Sequence, residues 1–229
     1  MLKTLYRAFA GLGSLTIWAA FIWGWRHDPM GPVSAVWVNL ALYGGFIAVH
    51  MAMITPAFKK TLYGDRRGGG LERRIFVSVA VLTWLALLYF HQPLPGPAPD
   101  LPAPLRFVGL TLSLAGFMAF TGGASQDQID RLIGTPGHEI SHSHDDSTPL
   151  MDKGAYGRVR HPMYAGAVVA TLSSILMHPN AAQAFWAVLV SLTFILFIPI
   201  EERQLLKARG DAYRQYREKV RWRLFPGLW

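Results

Sequence analysis

The stretch that decides the fold reads Gly154-Ala155-Tyr156-Gly157-Arg158-Val159-Arg160-His161-Pro162-Met163-Tyr164-Ala165-Gly166, then an apolar run to Met177, the turn His178-Pro179-Asn180, a second apolar run over Ala181–Ile200, and Glu201-Glu202. The two runs predict a helical hairpin in a membrane. At 1.5 Å per residue, Met163–Met177 rises about 22 Å and Ala181–Ile200 about 30 Å, close to the thickness of a bilayer core. A hairpin returns to the side on which it starts, so Arg160-His161 and Glu201-Glu202 are expected at similar depth at one membrane boundary. Pro162 suits the first position of the helix, where a missing N–H costs nothing. A helix N-terminus there presents free amides and a positive dipole end beside Arg160 and His161, a setting for a carboxylate or phosphate. Tyr164 and Gly166 fall within its first turn or so, and a glycine allows close approach of a ligand or another backbone.

Working outward, four more apolar runs of spanning length lie near Ala8–Trp25, Val33–Ile54, Ile75–Phe90 and Leu105–Phe120. The expected fold is therefore an all-α membrane protein with about six transmembrane helices, including the C-terminal hairpin, followed by a cytoplasmic amphipathic helix. Composition agrees. Of 229 residues, 52% are apolar and 16% charged, whereas a soluble domain is nearer a quarter charged. The chain has no cysteine, which excludes disulfides, thiolate zinc sites, iron–sulfur clusters and a cysteine nucleophile. Any reactive sulfur must come from a ligand. Lys3 and Arg7 precede the first run in the manner of a signal peptide, but Trp18, Trp23 and Trp25 stand where a small-residue cleavage site belongs, so the run reads as a retained helix.

The formal charge of +8 is distributed by topology. Lys3 and Arg7 precede the first span, six Lys and Arg lie between the second and third, four between the fourth and fifth, and eight follow the sixth; Arg26 and Arg106 alone fall on the other side. The positive-inside rule then puts both termini and the site in the cytoplasm. The basic surplus speaks for attraction to the lipid bilayer and against nucleic-acid binding. We read residues 1–229 as one integral-membrane domain: four spans within 1–120, a cytoplasmic loop over 121–161, the hairpin over 162–200, and a helix and tail over 201–229. Gln92-Pro93-Leu94-Pro95-Gly96-Pro97 is a stiff outer connector, and no inverted repeat of the transporter kind is visible.

Beyond the hairpin, Glu201–Arg221 reads as a basic helix bent near its start by Pro199. Glu202, Leu205, Arg209, Tyr213, Tyr216 and Val220 recur at three- and four-residue steps and share one face, which could fold back over the loop as a lid. Trp222, Phe225 and Trp229 suit an interfacial anchor. Taken singly, Arg160 and His161 are ordinary boundary residues, the two glutamates ordinary members of helical ion pairs, and the tyrosines ordinary interface residues. Their convergence at one membrane boundary is costly without a function. His138, His142 and His144 with Asp145 and Asp146 have a spacing that could ligate zinc, but without cysteine or helical register they read as a solvated loop, and no metal is expected. His50 and Asn39 are polar residues inside a span, satisfied by hydrogen bonds in the bundle or functional; His50 is a candidate for substrate binding.

Taken together, RHPxYxG over Arg160–Gly166, EExxL over Glu201–Leu205, and Gly210, Tyr213, Tyr216 and Val220 resemble the signature of the integral-membrane methyltransferases, which include isoprenylcysteine carboxyl and phospholipid methyltransferases. The resemblance implies S-adenosyl-L-methionine as methyl donor, bound between the RHP loop and the EE helix. It implies contacts from Tyr156, Arg160, His161, Pro162, Tyr164, Gly166, Glu201, Glu202, Tyr213 and Tyr216, with Arg160, His161, Glu201 and Glu202 as candidate catalytic residues. In that picture Arg160 and His161 hold the donor carboxylate with the helix amides, and Glu201 or Glu202 holds the ribose or positions the acceptor. His161 or Glu202 is a candidate base. His50–Lys60, Glu72-Arg73-Arg74 and Gln92–Pro95 are similar to the NnrU-like branch, which contains membrane methanethiol S-methyltransferases. One departure bears on the acceptor. Isoprenylcysteine enzymes carry an arginine four residues before the first Glu of the pair, and here that position is Phe197, which cannot pair a carboxylate. The resemblance with this change implies a small or lipophilic uncharged acceptor such as an alkyl thiol. Sterol-type NADPH reductases share a tyrosine-rich basic C-terminal helix but fit the RHPxYxG and EE spacings less well; a non-enzymatic membrane sensor that keeps the pocket is the remaining reading.

Overall fold

The computed structural model describes residues 2–64, 70–121, 130, 133–135, 150 and 152–229. His138, His142, His144, Asp145 and Asp146 lie outside the described residues. The helices are α1 (Leu2–Trp23), α2 (Ser34–Ile54), α3 (Pro56–Tyr63), α4 (Gly70–Phe90), α5 (Ala103–Thr121), α6 (Pro162–Met177) and α7 (Ala181–Lys219), with a 3-10 turn at Gly154–Gly157 and no strand among the described residues. This is the expected all-α membrane architecture. Among the described residues, α1, α2, α4, α5 and α7 are long and apolar enough to cross a membrane, and α6 is a shorter apolar helix of 16 residues. The short α3 lies in what reads as a loop: the Thr55 side chain accepts from Phe58 N at 3.3 Å, Pro56 occupies the first turn and Gly64 ends it.

Contacts divide the chain into two units, Met1–Ala98 with Ser125–His142, and Pro99–Ala124 with Ser143–Trp229. In the first, α4 packs on α1 and α2, with Phe21, Trp25, Trp84 and Leu87 buried. The connectors at one end are tied together: Asn39 donates to Gln92 O at 2.8 Å and accepts from Gln92 N at 2.9 Å, so this polar residue of α2 is structural. Asp130 is buried, taking Arg7 Nε at 2.6 Å and the Thr135 hydroxyl at 2.9 Å.

In the second unit α5 lies directly against α6. A Cβ on Gly116 would stand 2.5 Å from Ala170 N and 2.6 Å from Gly166 O, and one on Gly109 would stand 2.9 Å from Ser173 O. Small residues thus let two backbones touch, the usual way helices associate in lipid. The Ser113 hydroxyl donates to Ala170 O at 2.9 Å. The close approach at Gly166 is made by the backbone of α5, not left open for a ligand. The hairpin turn is closed by Asn180, whose side chain accepts from Gln183 N at 2.8 Å, and the two legs share the pair Thr171–Ser191 at 2.8 Å.

A break not foreseen from the sequence lies further along α7. Pro199 lies inside the helix, but the backbone leaves helical angles at Gly210, with φ +51° and ψ −123°. A positive φ is nearly free for glycine and strained for other residues. The chain beyond it carries Tyr213, Tyr216 and Val220, a buried cluster packed against Leu150, Leu205 and Leu206.

Candidate functional site

The site grows from the N-terminus of α6. His161 is the N-cap and Pro162 the first helical residue, as their order dictates. The two residues ahead of Pro162 are tied to the tail by main-chain bonds, Arg160 N to Trp222 O and His161 N to Arg223 O, both at 2.9 Å. The tail turns back on itself, Arg223 N and Leu224 N donating to the Trp229 main-chain oxygen at 2.7 and 3.1 Å. The Arg223 guanidinium lies over the Trp229 ring at 4.9 Å.

Side chains then close the cluster. Arg160 Nε donates to Glu202 Oε1 at 2.6 Å, and its Nη1 donates to Val220 O and Arg221 O, both at 2.8 Å. The other oxygen of Glu202 takes Arg223 Nε at 3.3 Å, and His161 Nε2 stands 3.4 Å from Oε1. Glu202 is therefore a buried carboxylate between two guanidinium groups. A buried charge survives only when paired and hydrogen-bonded, and this one is both.

Glu201 has a different setting. Its side chain is 34% exposed, against 5% for Glu202, and its Oε2 lies 3.6 Å from His161 Nδ1. That oxygen is buried without a hydrogen-bond partner. Tyr164 stacks on the His161 ring at 5.5 Å, and Phe194 of α7 contacts Tyr164 at 5.2 Å. Tyr156 sits in the 3-10 turn, and its carbonyl accepts from the Tyr216 hydroxyl at 2.9 Å. Burial, with the Glu201 charge adding, pushes the Tyr156 phenol above its ordinary value. Tyr213 is buried and its hydroxyl has no hydrogen-bond partner among the described residues. Outside this ring Lys219 holds Asp152 at 2.9 Å, keeping that carboxyl below the usual range.

The structure thus brings together Tyr156, Arg160, His161, Tyr164, Glu201, Glu202, Tyr213 and Tyr216. Phe197 is partly buried in α7. His50 belongs to the other unit, where its Nδ1 donates to Phe46 O at 2.7 Å and its ring lies between Phe46 and Phe76 at 4.2 and 5.5 Å. Sequence reasoning missed Phe194 and Arg223. Phe194 stands two helical turns before Glu201 and was within reach of the same spacing argument; Arg223 carried no signal, since only the returning tail makes it a neighbour of Glu202.

Residues 107–211 match the family model described as phospholipid methyltransferase, a stretch that contains Arg160, His161, Glu201 and Glu202. The match covers a little under half of the chain and takes in the whole hairpin. The resemblance read from the RHPxYxG and EExxL spacings holds. Across 81% of its length the chain is 31% identical to methanethiol S-methyltransferase 1 of Bradyrhizobium diazoefficiens, over 192 residues that span 65% of that relative. It is 28% identical over 198 residues to methanethiol S-methyltransferase of Mycobacterium tuberculosis, covering 85% of the chain and 80% of the relative. With methanethiol S-methyltransferase 2 of Bradyrhizobium diazoefficiens the identity is 26% over 200 residues, or 84% and 74% of the two chains. These alignments are longer than the stretch matched by the family model and therefore take in residues of the N-terminal unit as well.

Proposed function

We propose that this protein is a membrane enzyme that transfers a methyl group from S-adenosyl-L-methionine to a small, uncharged thiol of the methanethiol kind, at a site on the cytoplasmic face. The observation that carries the reading is the convergence of Arg160, His161, Glu201 and Glu202 at the start of α6 inside the family domain. The names of the relatives support a thiol acceptor, and the charge asymmetry of the loops supports the orientation.

The residues fit that donor. Glu201 Oε2 and the Tyr213 hydroxyl are buried polar atoms without hydrogen-bond partners, a condition proteins avoid unless a ligand supplies the missing contact. When bound, the donor supplies an electrophilic methyl on a positively charged sulfur, and the acceptor sulfur gains that methyl as the old S–C electron pair returns to the donor sulfur. Arg160 holds Glu202 and the tail in place, since its Nε and Nη1 are already engaged. The first amides of α6 form the anion-binding side, where a helix N-terminus favours a carboxylate. A thiol enters protonated at neutral pH. Glu202 is a poor base because its oxygens already face two guanidinium groups; His161, flanked by both glutamates, takes the thiol proton. Phe197 leaves the acceptor without a cation of the kind that would select a carboxylate.

The test is transfer of labelled methyl by purified protein in lipid, with methanethiol, a longer alkyl thiol, a prenylcysteine and phosphatidylethanolamine offered in parallel. Label on the small thiols is expected. Label on the prenylcysteine or the phospholipid instead reassigns the acceptor, and no transfer to any of them overturns the reading.

A further inference from the structure

A second charged cavity lies wholly within the first unit, outside the stretch matched by the family model. Residues of α2, α3 and α4 line a space of about 40 Å³, room for about three water-sized groups. Its apolar lining is Met53 and Ile54, the last two residues of α2, with Phe76 of α4. Its polar lining comes from α3 and the first turn of α4. Both spans leave their apolar stretch here, so the cavity falls at headgroup depth on the side that carries the basic second loop.

Two cations line the cavity against one carboxylate. Lys59 Nζ meets Glu72 Oε1 at 2.7 Å, and an ammonium bonded to one carboxylate keeps two further donors. The Arg73 guanidinium lies over the Phe76 ring at 5.1 Å, which fixes where that charge stands. Tyr63 is 9% exposed, and its hydroxyl is buried without a hydrogen-bond partner among the described residues. A buried hydroxyl left unpaired is a donor lacking its acceptor. These groups together suit an anion whose other end is apolar.

We propose that this cavity binds the phosphate of an anionic phospholipid. The Tyr63 hydroxyl donates to a phosphate oxygen, Arg73 and Lys59 supply the positive charge, and the acyl chains lie along the apolar ends of α2 and α4. Basic pockets between spans on the cytoplasmic side hold lipid head groups in this way. The lipid is held here and not methylated, since the cavity belongs to a different unit from Arg160 and Glu202.

The experiment is native mass spectrometry on purified full-length protein, taken from neutral-detergent micelles containing equal amounts of phosphatidylglycerol and phosphatidylcholine. Both lipids carry the phosphodiester, and only the first is an anion overall. Wild type is expected to retain phosphatidylglycerol over phosphatidylcholine by about tenfold. Tyr63→Phe, which deletes one hydroxyl, is expected to lower that retention about threefold, and Arg73→Gln about tenfold. Should Arg73→Gln not fold, Tyr63→Phe carries the test alone. Lys60→Gln removes an exposed cation outside the cavity and is expected to leave retention within about twofold. Equal retention of the two lipids by wild type, no loss in the folded cavity variants, or a loss just as large in Lys60→Gln overturns the proposal. Inorganic phosphate in about tenfold excess over lipid is expected to leave the lipid bound; its displacement by phosphate would mark a site for the free ion and overturn the lipid assignment.

Discussion

Arg160 Nε lies 2.6 Å from Glu202 Oε1, and both side chains are buried. The same guanidinium also holds two tail carbonyls, so one residue ties the start of α6, the middle of α7 and the tail together. Removing one partner of such a pair strands the other charge.

Glu202→Gln is therefore expected to cost about 3–5 kcal/mol of stability. A thermal-shift measurement in detergent reads it as a lowered Tm together with lost transfer. Arg160→Met combined with Glu202→Met is expected to be less destabilised than the sum of the single changes; strict additivity would show that the pair is not coupled.

His161→Ala removes the ring stacked on Tyr164 without stranding a guanidinium. Transfer is expected to fall by about a hundredfold or more, the usual contribution of a positioned acid or base, while Tm stays within a few degrees of wild type. Full activity in both this variant and Glu202→Gln would sink the site assignment.

At Gly116 an added Cβ would press on Ala170 N and Gly166 O. Gly116→Ala is expected to destabilise by about 1–3 kcal/mol, the cost of overpacking. Gly11, where a Cβ meets nothing within 4 Å, is the control: Gly11→Ala should be neutral or slightly stabilising, because alanine is the better helix former.

Gly210 holds φ at +51°. Gly210→Ala is expected to cost about 1–3 kcal/mol, and because Tyr213 and Tyr216 lie beyond the break, donor affinity measured by calorimetry should weaken along with Tm.

Phe197→Arg places a guanidinium one helical turn before Glu201. Relative transfer to a prenylcysteine carboxylate over methanethiol is expected to rise by about tenfold or more if that position selects the acceptor; an unchanged ratio assigns the selection elsewhere.

How much of this was legible beforehand follows the range of the interactions. The hairpin was, because two apolar runs and an Asn180-capped turn are local facts. So was the meeting of Arg160-His161 with Glu201-Glu202, since helix rise alone brings the legs back together. Helix starts were less so: α4 begins at Gly70 and not at Ile75, because Glu72, Arg73 and Arg74 form a first turn that apolar runs do not register. The break at Gly210 was not legible for a physical reason. Pro199 is tolerated inside a membrane helix where neighbours satisfy the freed carbonyl, whereas nothing in the spelling of a glycine says that it takes a positive φ. Arg223 was invisible because the bonds that bring it home, Arg160 N to Trp222 O and His161 N to Arg223 O, are main-chain bonds and leave no side-chain pattern.

Those same bonds make the cluster depend on the last residues of the tail. Without residues 220–223, Arg160 would lack the Val220 and Arg221 carbonyls, and Glu202 would lack Arg223. The cluster around Arg160 and Glu202 thus draws its last partners from residues 220–223, so the apolar helices can be complete before the cluster is.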